Sequence, residues 1–155
     1  MRNKPREVTH GHVREKRPRR LGRDRQGREG GGDGATGAFS LPVTFLARVE
    51  KPGGKTSPEE LIAAAHAACY AMALAGTLGR KSAKARRLHI TATVGAEFGE
   101  GGLKIQTSRL QAVAEGLEGL TPAQFSDAAK EAEGRCPVSN ALRNSLKIDV
   151  EAQVK

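Results

Sequence analysis

The chain has 155 residues, enough for one domain with its own core or a smaller domain with a tail. Four Phe, one Tyr and no Trp exclude a core built on aromatic packing and leave it to Ala, Leu, Val and Ile. The net charge of +9 sits beside no evident membrane-length apolar run and no apolar stretch of a secretory signal, so a cytoplasmic protein without membrane contact is expected.

The charge is unevenly placed. Residues 1–36 carry eleven Lys/Arg against five Asp/Glu, and the rest of the chain carries fifteen against twelve. This first segment is rich in Arg and Gly, with Arg19-Arg20, Arg23, Arg25, Arg28 and the run Gly30-Gly31-Gly32. It shows neither a period of 2 nor one of 3.6, and an irregular, solvated or disordered segment is expected. A basic arm of this kind can bind nucleic acid through phosphates. Against that, the first aromatic is Phe39, so the segment offers no ring on which a base could stack, and nucleic acid is not the expected partner. The expected organisation is therefore a basic segment over residues 1–36 and one domain over residues 37–155.

Phe39 to Val49 reads as extended, with Val43, Phe45, Ala47 and Val49 on one face. Lys51-Pro52-Gly53-Gly54 is a turn. Ser57-Pro58-Glu59-Glu60 then marks a helix start: Ser57 suits the N-cap, Pro58 the first helical position, and Glu60 a capping box. The helix is predicted to run to about Leu78, with Gly79 as its stop. From Leu61 to Ala75 it is apolar nearly all round, which predicts burial on most sides.

Leu88 to Phe98 alternates as a strand, Gly99 to Gly102 is a hairpin turn, and Leu103 to about Ala114 is the returning strand. Gly116 to Gly119 reads as a loop. Thr121-Pro122 opens a second helix through about Gly134. Pro137 interrupts it, Val138 to Asn144 adds a helical turn or two, and Leu146 to Val154 alternates as a last strand. The order strand, helix, two strands, helix, strand predicts an α+β domain with sheet wrapped around a central helix.

Two cysteines carry the candidate chemistry. Cys69 lies mid-helix among alanines, where an inert buried thiol is the simplest expectation. Cys136 precedes Pro137 at a helical start, where the dipole favours thiolate. Two cysteines so placed can form a peroxide-reacting and a resolving pair, or can be two unconnected core thiols. His66 shares a helix face with Cys69, and Cys136 and His89 could join them around a metal. None of these shows paired CxxC or HxxxH spacing, so no metal is expected and His66 reads as a core or rim histidine.

The stretch Thr56 to Leu74, with Ser57-Pro58-Glu59-Glu60 and Ala65-His66-Ala67-Ala68-Cys69, resembles the signature of the OsmC/Ohr family, the osmotically inducible protein C and organic hydroperoxide resistance proteins. Gly134-Arg135-Cys136-Pro137-Val138-Ser139-Asn140 resembles the family's second cysteine motif, and the likeness covers roughly residues 41–155. Ala65-His66, in place of Gly-Tyr, is more similar to the OsmC branch. The resemblance implies an OsmC-like fold of antiparallel sheets wrapping a buried central helix, an intertwined homodimer and a thiol peroxidase that needs no cofactor. It implies Cys69 as the peroxidatic cysteine, Cys136 as the resolving cysteine, Glu59 as the active-site glutamate and Arg48 as the thiolate-holding arginine. The implied substrate is an organic hydroperoxide, and the implied partner is a dithiol reductant, typically a lipoylated protein. The alternative is a non-enzymatic stress protein of the same fold with a nucleic-acid-binding arm.

The chemistry requires these residue types. A thiol of pKa about 8.5 is only about 3% thiolate at pH 7. Lowering it to about 6 stabilises the thiolate by about 3.4 kcal/mol. A guanidinium, permanently charged and fork-shaped, can do this. Glu59 and Cys69 lie ten residues apart, about 15 Å along a straight helix, so one chain's helix does not bring both to one small site. A site shared between two chains is therefore expected. Residues 1–36 do not show the family's aromatic-acidic-Gly strand motif. An apolar pocket lined by Met72, Leu74 and Phe45 is also expected.

Overall fold

A Thr-capped turn and a left-handed serine set the limits of the elements that sequence alone misplaces. The computed structural model describes residues 12–15, 29–49 and 53–155, which divide into two compact units, 1–58 and 59–155. Composition changes at residue 36, whereas contacts divide the chain at residue 58.

The first unit contains β1 (His12–Glu15), β2 (Glu29–Asp33), β3 (Ser40–Thr44) and α1 (Leu46–Val49). The three strands form one antiparallel sheet in the order β1-β2-β3. Two of them fall within residues 1–36, where irregular chain is expected; residues 34–36 begin the turn that follows β2, and the rest of that segment lies outside the described residues. The physical reason is that β2 is Glu-Gly-Gly-Gly-Asp. It pairs through its backbone and has almost no side chains from which a period could be read. The extended run expected from Phe39 to Val49 ends at Thr44. There the Thr44 Oγ1 accepts the Ala47 N–H at 3.2 Å and turns the chain into α1. Val43 forms a parallel bridge to Thr56, and Thr56 N donates to Pro42 O at 2.8 Å. Gly53 and Gly54 turn with positive φ, as expected; Lys51 and Pro52 lie outside the described residues.

The second unit is built on α2 (Pro58–Arg80), β4 (Lys84–Gly99), β5 (Gly102–Glu118), α3 (Pro122–Arg135), α4 (Pro137–Leu142) and β6 (Lys147–Val154). Pro58 begins α2 as its sequence predicts. The helix does not stop at Gly79: it runs to Arg80, and Ser82 takes the left-handed conformation at φ 53. Leu78 O accepts from Ala83 N at 2.9 Å, which closes the end in the manner that a glycine usually provides.

β4 and β5 form an antiparallel hairpin, longer at both ends than alternation alone indicates, and β5 extends through the expected Gly116 to Gly119 loop as far as Glu118. β6 pairs parallel to β5, so this sheet is mixed rather than wholly antiparallel. The connection through α3 and α4 carries the chain back to start beside β5, as a crossover must. Thr121 caps α3, its side chain accepting from Gln124 N while Gln124 Oε1 accepts from Thr121 N.

The core joins one stripe of α2 (Tyr70, Leu74, Leu78) to the inward positions of β5 (Leu110, Ala112, Ala114) and to Phe125, Ala128, Ala129 and Ala132 of α3. Tyr70 spans from α2 to α3, its hydroxyl donating to Ala129 O at 2.9 Å, and the alanines of α3 pack in the core as their sequence predicts. The other side of α2 is exposed at Ala64, Ala65, Ala68, Met72 and Ala75, so burial on most sides does not hold within one chain. Its length and composition would also let α2 cross a membrane, contrary to the expectation that no run is long enough. His66, Tyr70, Leu74 and Leu78 nevertheless face a protein core with their polar atoms bonded, as in a core helix.

At Gly119, φ is +85 and a Cβ would stand 2.9 Å from Ser82 O. Gly119→Ala should therefore cost about 1–3 kcal/mol. Ser82→Gly should be neutral or stabilising by up to about 1 kcal/mol, because it relieves the left-handed strain. Urea unfolding midpoints of the two variants check both signs.

Candidate active site

Cys69 lies on α2 three residues after His66 and directly before the buried Tyr70, on the boundary between the core stripe and the open face. It is partly exposed. Cys136 is wholly buried and serves two helices at once: its N–H caps α3 by donating to Glu133 O at 3.1 Å, and its side chain caps α4. Pro137 at the first position of α4 enforces this break, because the residue before a proline is pushed out of the helical region. Cys136 accordingly has φ −80 and ψ 115. Its Sγ accepts the Ser139 N–H at 3.5 Å.

The fold brings the two thiols together. Cys69 and Cys136 lie close enough to influence each other's ionisation, the Val138 N–H lies near the Cys69 sulfur, and both cysteines are free thiols. Burial pushes the Cys69 thiol above its ordinary pKa. The Val138 amide pulls it down, and the Cys136 thiol pushes it up again. The net upward shift differs from the lowered thiol that the chemistry requires. One amide donor does not offset desolvation and a neighbouring sulfur.

His66, beside this pair, is fully buried. Its Nδ1 is 2.8 Å from Ser108 Oγ on β5, and its Nε2 is 2.8 Å from Ser139 Oγ on α4. Burial holds the imidazole below its usual pKa, partly countered by Glu133. Tyr70 donates to Ala129 O at 2.9 Å, and Glu133 pairs with Arg143 at 2.8 Å across the α3–α4 junction.

Of the four expected site residues, Cys69 and Cys136 meet. Glu59 is buried in the first turn of α2, ten residues before Cys69, so about 15 Å of continuous helix separates them along the axis. Arg48 lies on α1 in the first unit, half-buried. Leu74 is fully buried in the core, while Met72, two residues away, is 70% exposed on the opposite side of the helix. Ser108, Ser139 and the Val138 amide were not expected near the thiols. The alternation of β5 does place Ser108 on the same face as Leu110, and Ser139 follows Cys136 by one helical turn. His89 is half exposed and 3.2 Å from Glu115, and among the described residues no three metal-ligating side chains converge.

The family model described as OsmC-like protein matches residues 51–151. The chain belongs to the OsmC family. A relative, the peroxiredoxin OsmC of Escherichia coli (strain K12), is 34% identical over 110 residues, covering 71% of this chain and 76% of the relative. Among solved structures, the organic hydroperoxide resistance protein OsmC of Legionella pneumophila has the same fold with a TM-score of 0.73, at 22% identity, over 96% of this chain and 99% of its own. An organic hydroperoxide resistance protein from Elizabethkingia anophelis matches with a TM-score of 0.71 and 25% identity, over 96% of this chain and 97% of its own. The family model begins at residue 51, while the fold likeness extends well before it.

The lowered pKa of His66 has a definite consequence for stability. The unfolded chain takes up a proton near pH 6.5 while the folded chain resists it. Stability should therefore be full above pH 6.5 and fall as pH drops through the folded value. Urea midpoints at neutral and acid pH should show this loss, and His66→Gln should flatten it.

Proposed function

We propose that this OsmC-family chain is a thiol peroxidase that reduces organic hydroperoxides to alcohols, with Cys69 as the attacking thiol and Cys136 as the resolving one. The observation that carries this reading is the meeting of two free thiols, one partly open to solvent and one buried, from helices far apart in sequence. The peroxidase-type name of the Escherichia coli relative supports it.

The Cys69 thiolate attacks one peroxide oxygen and the O–O bond breaks. The departing alkoxide takes a proton and leaves as the alcohol, and Cys69 becomes a sulfenic acid. The Cys136 sulfur then displaces hydroxide from it, water leaves, and a disulfide forms. A dithiol reductant of the lipoyl class attacks that disulfide, passes through a mixed disulfide and restores both thiols.

Activation of Cys69 calls for a positive charge, since burial within one chain raises its pKa. Arg48, oriented by Glu59, is the proposed source. The length of α2 between Glu59 and Cys69 favours donation from a second copy, and the exposed apolar side of α2 provides a surface for that copy. The protein is accordingly proposed to work as a homodimer in the cytoplasm.

Cys69→Ser should abolish peroxide consumption with a dithiol reductant. Cys136→Ser should keep the first reaction and lose turnover. Full activity in Cys69→Ser would end the enzyme reading. Glu59→Gln and Cys69→Ser chains, each inactive alone, should recover roughly a quarter of wild-type activity when mixed and reassembled, because half of the mixed dimer's sites are then intact. Failure to complement, or an active monomer in sedimentation, would contradict the shared site.

A further inference from the structure

We infer that His66 is a positioning residue for the resolving half of the cycle, acting through Ser139 to hold the Cys136 turn against Cys69. The inference rests on the peroxidase reading for its chemical step, and its geometry is independent of that reading.

The two helices meet through two parallel ties. His66 and Cys69 are three residues apart on α2; Ser139, in the first turn of α4, lies three residues after the N-cap Cys136 and donates its N–H to the Cys136 sulfur. His66 faces Ser139, with Nε2 2.8 Å from Oγ, while Cys69 lies near Cys136. Residues at this spacing share a helix face, so each pair forms one rung between the same two turns. The His66 ring is fixed from its other side by Ser108 Oγ on β5, 2.8 Å from Nδ1, and all three side chains are fully buried. A neutral imidazole donates at one nitrogen and accepts at the other, and two hydroxyls can satisfy either tautomer.

Both ring nitrogens are occupied by hydroxyls, so His66 serves neither thiol as a base. What it controls is position. In resolution, an S–S bond forms between Cys69 and Cys136 while the S–O bond of the sulfenic acid breaks. Hydroxide leaves with the Cys136 proton as water, oxidising Cys136 and reducing the Cys69 sulfenic sulfur. Disulfide geometry permits only a narrow range of separations. α4 has only six residues, so its N-terminal turn depends on anchors from outside, and the thiol rung is itself remade in every cycle. The His66–Ser139 rung persists while the sulfur chemistry changes. Attack on peroxide depends instead on Cys69, carried by the long helix α2, and is expected to be much less sensitive.

The two nitrogens can be separated by substitution. A Gln amide nitrogen can take the place of Nε2, and an Asn amide nitrogen that of Nδ1. His66→Gln should keep the tie to Ser139, whereas His66→Asn and Ser139→Ala lose it. Two readouts apply to the folded full chain, checked by circular dichroism. With an alkyl hydroperoxide, trapping of the Cys69 sulfenic acid should show its formation within about threefold of wild type in every variant. Its conversion to disulfide should slow about tenfold or more in His66→Asn and Ser139→Ala, with more sulfinic acid, and far less in His66→Gln. In a glutathione redox buffer, the equilibrium constant for the Cys69–Cys136 disulfide should fall about tenfold in the same two variants.

Wild-type resolution and wild-type redox equilibrium in folded Ser139→Ala and His66→Asn would overturn the inference, as would equal losses in His66→Gln and His66→Asn. A wild-type protein that forms no sulfenic acid, but whose glutathione equilibrium still follows the variants, would refute the peroxidase reading and leave the His66 tie standing.

Discussion

The contact on which the second unit depends is the burial of one stripe of α2 against β5 and α3. Tyr70, Leu74 and Leu78 fill the interior, and His66 continues the same stripe toward the helix start with polar rather than apolar partners. Each fully buried large apolar side chain is worth about 1.5–3 kcal/mol. The same packing fixes the rotation of α2 about its axis, and that rotation decides where Cys69 points. Placed beside the stripe rather than on it, Cys69 remains partly open while lying near Cys136. Core and chemistry are therefore set by a single helix orientation.

Cys136 reaches that position by a different device. Pro137 breaks the chain between α3 and α4, leaving Cys136 to cap both. The Glu133–Arg143 pair and the Asn140 side chain, which donates to Gly134 O at 3.3 Å, brace the junction. The Cys136 thiol thus sits at a backbone break whose shape the cyclic side chain of Pro137 largely dictates. The thiol in mid-helix and the thiol at the helix break differ in exposure: Cys69 is partly open and Cys136 is buried.

Much of this was legible in the sequence, for local reasons. Pro58 opens α2, Pro137 separates α3 from α4, and the alternation from Leu88 to Phe98 lies within β4. The cysteine motifs pointed to the family and to the pair that meets. What could not be read was of two kinds. β2 has too few side chains to show a period, and Thr44 and Ser82 act through backbone conformations that no hydrophobic pattern records. The parallel placement of β6 and the convergence of Ser108 and Ser139 on His66 are long-range outcomes, visible only once the crossover through α3 and α4 is in place. Glu59 lies ten residues before Cys69 on α2 and Arg48 lies on α1, and the roles proposed for them involve a second chain, which no local pattern in one chain can place.

The central claim is that Cys69 and Cys136 exchange electrons with a peroxide as a pair. The most direct measurement is to treat the reduced protein with one equivalent of an alkyl hydroperoxide, digest it without reductant and identify the linked peptides by mass spectrometry. The account predicts one product within the chain, the peptide containing Cys69 joined to the peptide containing Cys136, together with stoichiometric alcohol. Two unmodified thiols with the peroxide unconsumed, or oxidation of Cys136 while Cys69 stays reduced, would contradict it.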